Sequence, residues 1–314
     1  MAKSKFSIKL SKEEGRKGIW RFWAYLTPLQ EQFSLSLGEG NTPEVIFEDK
    51  LILKREDKNP TGSLKDRGMA YLISWACQNG FKNLVLSSSG NAAISAAAFC
   101  DLAKLNLFVF VSPSIEKKKM EKIAGNRVKI FKSSRPVSDA TKFAQENKYF
   151  NLRPSINKFG SEGYQTIAFE IAESQGFIED LFLPVSSGVA LKGIAEGFKK
   201  LGFLPRFHLC QPAAVCPLAS IFDHNFVPEK KNLAKSLVAR YTPLRQEIIN
   251  LIKESSGSGW VINNQAILEA EKILAKNLVT TSYEGALALA AVFKAREQGL
   301  KLGKTVCLLT GTRY

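Results

Sequence analysis

Short runs rich in Val, Leu, Ile and Phe alternate with helix-patterned segments through most of this chain, and that alternation restricts the fold more than any other feature. Residues 84–87 read as a strand, followed by a helix to about 103, a strand at 107–111, a helix, and a strand at 127–131. The rhythm resumes with a helix at about 162–175, a strand at 181–185, a helix to about 201, and strands at 206–210 and 305–309. Strand, helix and strand in succession form the βαβ unit, whose strands lie parallel because the helix returns the chain to the same edge. The expected fold class is therefore α/β with two parallel-sheet domains. No repeat, low-complexity tract or long linker separates them, so the pattern alone sets the boundary near Leu152. The expected division is a smaller domain at 45–151 and a larger one made of 1–44 with 152–314.

Composition removes several classes. With 314 residues, 45% hydrophobic and 23% charged, the chain can bury a sizeable core and is not expected to be disordered. The opening stretch mixes Lys3, Lys5, Lys9, Lys12, Glu13, Glu14 and Arg16 with apolar residues, so no signal peptide is expected. No segment reads as membrane-spanning. Cys77, Cys100, Cys210, Cys216 and Cys307 are odd in number, contain no Cys-x-x-Cys pair and sit mostly in apolar runs, which fits reduced thiols and a cytoplasmic location. The net charge of +15 is spread along the chain, and Lys117-Lys118-Lys119 reads as a solvated helix face, so neither a nucleic-acid nor a membrane partner is expected.

Three segments carry chemistry. Asn59-Pro60-Thr61-Gly62-Ser63-Leu64-Lys65-Asp66-Arg67-Gly68 follows a hairpin ending at residues 51–54 and opens a helix. Ser63 is the expected N-cap and Asp66 its capping-box partner, which puts Lys65 in the first turn. A cation there opposes the helix dipole, so the position disfavours the ammonium and favours a nucleophilic amine. The second segment, Leu84-Val85-Leu86-Ser87-Ser88-Ser89-Gly90-Asn91, is a strand running into a polar loop at a helix start, a place where N–H groups and short polar side chains receive a carboxylate or phosphate. The third repeats the device: a strand at 181–185, then Ser186-Ser187-Gly188-Val189-Ala190 as a phosphate cradle at the next helix start. Neither a Gly-x-Gly-x-x-Gly nor a Gly-Lys-Ser nucleotide fingerprint occurs in these loops.

These residues resemble the fold type II pyridoxal-phosphate enzymes, and within them the threonine synthases. The Asn59 to Gly68 stretch is similar to the family's lysine motif and Ser88 to Asn91 to its Ser-Gly-Asn loop. Leu37-Gly38-Glu39-Gly40-Asn41-Thr42-Pro43 is similar to its entry motif, Glu162-Gly163-Tyr164-Gln165-Thr166 to its Glu-Gly-Gln-Lys-Thr helix, and Leu309-Thr310-Gly311 to its final strand. The resemblance implies pyridoxal 5'-phosphate in an interdomain cleft, held by Lys65 as a Schiff base, with Asn91 on the ring oxygen, Ser186, Ser187, Gly188, Val189 and Ala190 on the phosphate, and Thr310 facing the pyridine nitrogen. It implies further that Ser88, Ser89 and Gly90 take the substrate carboxylate, that the catalytic Lys65 shuttles protons, and that O-phosphohomoserine and water become threonine and phosphate in a homodimer. The chain departs from the pattern at Ser186-Ser187, where Gly-Asn is usual, and at Gln165, where a lysine is usual. Residues 153–160 are also longer and lack an arginine before Glu162, so Arg153 and Lys158 are the candidates to meet a substrate phosphate.

Alternatives keep the cofactor and change the substrate, to a serine or threonine dehydratase or a cysteine synthase-like replacement enzyme, which the Gly311-Thr312-Arg313-Tyr314 ending resembles. A non-catalytic binder of phosphorylated metabolites would not need Lys65, Asn91 and Thr310 together. His208 and His224 are too few for a histidine-rich site, and His208 with Cys210 and Cys216 fits no common zinc spacing. Trp20, Phe22, Trp23 and Tyr25 read as core packing.

Overall fold

The computed structural model describes residues 10, 11, 13 and 15–313. Residues 1–9, 12 and 14, which carry most of the reading against a signal peptide, lie outside the described residues. After 3-10 turns at Gly18–Tyr25 and Glu31–Phe33 come strands β1 (Glu44–Glu48) and β2 (Leu51–Lys54). Helix α1 (Lys65–Gln78), β3 (Asn83–Ser87), α2 (Asn91–Leu102), β4 (Asn106–Val111), α3 (Lys117–Ile123), β5 (Val128–Lys132), α4 (Pro136–Glu146) and β6 (Phe150–Asn151) follow. The rest is α5 (Gln165–Gln175), β7 (Asp180–Pro184), α6 (Val189–Lys200), β8 (Arg206–Pro212), α7 (Arg245–Glu254), β9 (Ser258–Ile262), α8 (Asn264–Lys276), α9 (Tyr283–Glu297) and β10 (Thr305–Leu308).

Two compact units result, each with its own sheet. One contains Asn41–Lys58 and Gln165–Arg313, and its six strands run in the order β1-β2-β10-β7-β8-β9, parallel except for the β1/β2 hairpin. Its core joins Leu51, Leu53, Phe182, Trp260 and Ile262 of the sheet to Leu287, Ala291 and Ala295 of α9. The other contains Ser11–Gly40 and Asn59–Tyr164, with four parallel strands in the order β5-β4-β3-β6. Val85, Phe108 and Phe110 there bury against Ala140 and Ala144 of α4.

The expected smaller domain, 45–151, is revised at both ends. β2 forms a parallel ladder with β10, Leu51 opposite Thr305 through Lys54 opposite Leu308, so the hairpin belongs to the larger sheet. At the other end the turn Glu162–Tyr164 packs on α1, which moves the break from near Leu152 to Tyr164. Ser11–Gly40 also joins the unit of α1. Trp20 lies 5.8 Å from the Tyr71 ring, the Tyr71 hydroxyl donates to Thr27 O at 2.9 Å, and the Ser74 hydroxyl receives Leu35 N–H at 3.0 Å. Trp20 and Phe22 are buried while Trp23 and Tyr25 are half-buried. Lys117 and Lys118 are exposed, and Lys117 and Lys119 pair loosely with Glu121 and Glu116. Cys100, Cys210 and Cys307 are buried free thiols, Cys77 and Cys216 partly exposed ones. Among the described residues no helix is long and apolar enough to cross a membrane.

Asn41-Thr42 is tied into the larger unit by a buried charge. Lys54 Nζ donates to Glu170 Oε2 at 2.9 Å and to Thr42 O at 2.9 Å, with Glu44 at 3.2 Å, while Glu170 also receives Asn41 N–H. Removing one partner of such a pair strands the other away from water. Glu170→Ala is expected to cost about 3–5 kcal/mol in urea unfolding. The volume-matched double variant Lys54→Met/Glu170→Leu should recover most of that loss.

Candidate active site

Helix α1 begins at Lys65 itself, after a turn in which Gly62 N–H donates to Asn59 O at 2.8 Å and Gly62 takes a left-handed φ of 85°. The cap differs from expectation. Ser63 Oγ receives the Lys65 N–H at 3.3 Å, but the Asp66 carboxylate reaches past Ser63 to the N–H and hydroxyl of Thr61. Asp66 therefore stitches the turn to the first helical turn, since Thr61 offers two donors where a capping box would offer one.

Lys65 is half-buried, and burial lowers its ammonium from an ordinary value near 10.5 to about 8. Its Nζ lies 5.8 Å from the centre of the Tyr164 ring. In the same unit, β3 delivers Ser88, Ser89 and Gly90 to the start of α2, whose first residue is Asn91, and α1 and α2 pack together. All four loop residues are half-buried. Ser88 Oγ accepts Gly90 N–H at 3.2 Å and Ser89 Oγ accepts Ser112 N–H at 3.0 Å, so each hydroxyl is oriented and retains a proton to donate. Arg153 and Lys158 flank a 3-10 turn at Pro154–Ile156. Arg153 Nε bonds Ser155 Oγ at 3.2 Å and the exposed Lys158 sits 5.4 Å above the Phe159 ring. Among the described residues neither hydrogen-bonds to Lys65 or to the Ser88–Asn91 loop.

The other unit places Ser186, Ser187 and Gly188 directly after β7, with Val189 and Ala190 opening α6. Gly188 caps the helix at φ 87°, and a Cβ there would lie 2.6 Å from Ile248. Thr242 Oγ1 donates to Ser187 O at 2.7 Å and holds the loop from outside. Thr310 follows β10, which neighbours β7 in parallel, so both loops leave the same edge of this sheet. His208 is spoken for structurally. Trp260 Nε1 donates to its Nδ1 at 3.1 Å, leaving Nε2 to donate to Asp180 at 3.0 Å, and the ring stacks on Phe182.

Tyr164, Thr242 and Ile248 were not assigned roles from sequence. Gly68 is the one hint to the first, since a glycine inside a helix marks a close neighbour but does not name it. Nothing local points to the other two.

The chain belongs to the family of pyridoxal-phosphate dependent enzymes, whose sequence model matches residues 27–311. Threonine synthase of Methanocaldococcus jannaschii is 27% identical over 334 residues, covering 96% of this chain and 82% of its own length. Threonine synthase of a Bacillus species is 29% identical, covering 94% and 89%. Among solved structures, maize serine racemase superposes with a TM-score of 0.76 at 20% identity over 88% of this chain and 89% of its own, and tomato threonine deaminase isoform 2 with 0.72 at 19% over 84% and 75%. The architecture is that of fold type II enzymes and the cofactor is pyridoxal phosphate.

The residues fit that group: an amine whose proton is held weakly suits an aldehyde, and backbone N–H groups with two serine hydroxyls at a helix start suit a phosphate. In cofactor-free protein, acetylation of Lys65 followed by peptide mapping should titrate with a midpoint near pH 8, below the ordinary lysine value of 10.5. Gly188→Ala should lower stability by about 1–3 kcal/mol, read by denaturant midpoint, because the new Cβ meets Ile248 in a left-handed backbone.

Proposed function

We propose that this protein is a lyase of the threonine synthase type, converting O-phosphohomoserine and water into threonine and phosphate. The observation that carries the reading is that relatives named threonine synthase match 88–97% of this chain and 82–89% of their own length, so the likeness extends over both units. Pyridoxal phosphate, when bound, supplies an electron sink that stabilises negative charge at an amino acid's α-carbon.

The chain's residues do the rest. Lys65 Nζ would hold the cofactor and, as a free amine, would take a proton from a substrate carbon and return one elsewhere. An amine with a pKa of about 8 can do both near neutrality. Ser88, Ser89 and Gly90 bind the substrate carboxylate, and Asn91 orients the cofactor ring. Ser186 and Ser187 with the N–H groups of Gly188, Val189 and Ala190 hold the cofactor phosphate, and Thr310 meets the ring nitrogen. Arg153 and Lys158 meet the phosphate that leaves.

A second reading, deamination of serine or threonine, is favoured by one observation. Gln165 stands where the resembled pattern has a lysine, is buried, and leaves its Oε1 without a partner. An unpaired acceptor calls for a donor, which a phosphate dianion does not provide.

Borohydride reduction of the loaded protein with peptide mapping is expected to leave the cofactor on the Lys65 peptide, and a label elsewhere would overturn the assignment. A product assay across phosphohomoserine, serine, threonine and O-acetylserine then decides the substrate: phosphate release supports the first reading, while ammonia from serine or threonine without it selects the second. Arg153→Ala and Lys158→Ala should each raise KM for phosphohomoserine about tenfold and spare serine turnover, because a charged contact to phosphate is lost.

A further inference from the structure

Two glycines bring an aromatic ring against the reactive end of α1. Gly68 lies three residues after Lys65, on the same face of the helix. A Cβ at Gly68 would sit 2.6 Å from both Cζ and Oη of Tyr164, and a Cβ at Gly163 would sit 1.9 Å from the carbonyl oxygen of Arg67. The Glu162–Tyr164 turn can thus lie on the helix backbone only because both side chains are missing. Gly68 weakens α1 in exchange for that approach. The ring it admits is 1% exposed and lies beneath Lys65 Nζ at 5.8 Å.

We propose that Tyr164 is a positioning residue for Lys65, its ring face holding the side-chain amine where it meets the cofactor's aldehyde. The proposal rests on Lys65 being the attachment point. A ring suits the task better than a carboxylate. Its quadrupole attracts the ammonium weakly and from one direction, while its bulk keeps water away. A carboxylate would bind the ammonium firmly and keep it protonated. The nearby acids are committed elsewhere: Asp66 is bonded to Thr61, and Glu162 to the N–H and hydroxyl of Thr27. In the attachment step the neutral amine forms a C=N double bond to the aldehyde carbon, the C=O bond breaks, and the aldehyde oxygen leaves as water with the two amine hydrogens. No oxidant or reductant is needed, so the rate reports on how well the amine is placed.

The experiment measures that rate in cofactor-free protein, as borohydride-reducible cofactor against time, beside the Kd of pyridoxamine phosphate, which has no aldehyde and cannot bond to a lysine. Tyr164→Leu should slow attachment about tenfold with pyridoxamine phosphate affinity unchanged within about twofold, as expected for loss of a cation–ring contact. Tyr164→Phe, which keeps the ring, should match wild type in both measurements. Attachment at the wild-type rate in Tyr164→Leu overturns the proposal, and so does a parallel loss of pyridoxamine phosphate binding, which marks a structural role. If the wild-type label maps to another lysine, the assignment of Lys65 fails instead, and the peptide map separates the two failures.

Discussion

A parallel sheet sends the carboxyl ends of its strands to one edge, and the candidate chemistry of this chain depends on that constraint. In the larger sheet β7 and β10 are neighbours, so the Ser186–Gly188 loop and Thr310 emerge side by side although 120 residues of sequence separate their strands. In the smaller sheet β3 runs into the Ser88–Asn91 loop at the start of α2, and α2 packs on α1, which begins at Lys65. Each sheet therefore presents helix starts at the carboxyl ends of its strands, where backbone N–H groups suit an anion.

Two lysines show how environment separates structure from chemistry. Lys54 is buried with Glu170, Glu44 and the Thr42 carbonyl around it, and its charge is satisfied by the bonds that fasten residues 41–42 to the larger unit. Lys65 has a ring rather than a carboxylate beneath it, stands in a helix's first turn, and burial alone pulls its proton affinity down. The same side chain is a strut in one place and a candidate nucleophile in the other, because one has a counter-charge and the other is desolvated without one.

The chain's own sequence determined the α/β class, much of the alternation of strands and helices between residues 84 and 210, and the three polar loops at helix starts, because hydrophobic periodicity and capping chemistry are local and act over a few residues. Lys65, the Ser88–Asn91 loop and the Ser186–Ala190 loop were legible for that reason. Only the tertiary structure decided which unit the hairpin at residues 44–54 joins, because the ladder between β2 and β10 pairs segments about 250 residues apart that carry no mark of each other. It also decided that Asp66 serves Thr61, that Ile248 closes the space under Gly188, and that the space left by Gly68 is filled by Tyr164. A glycine records that something comes close; what comes close is settled by packing between segments distant in the chain.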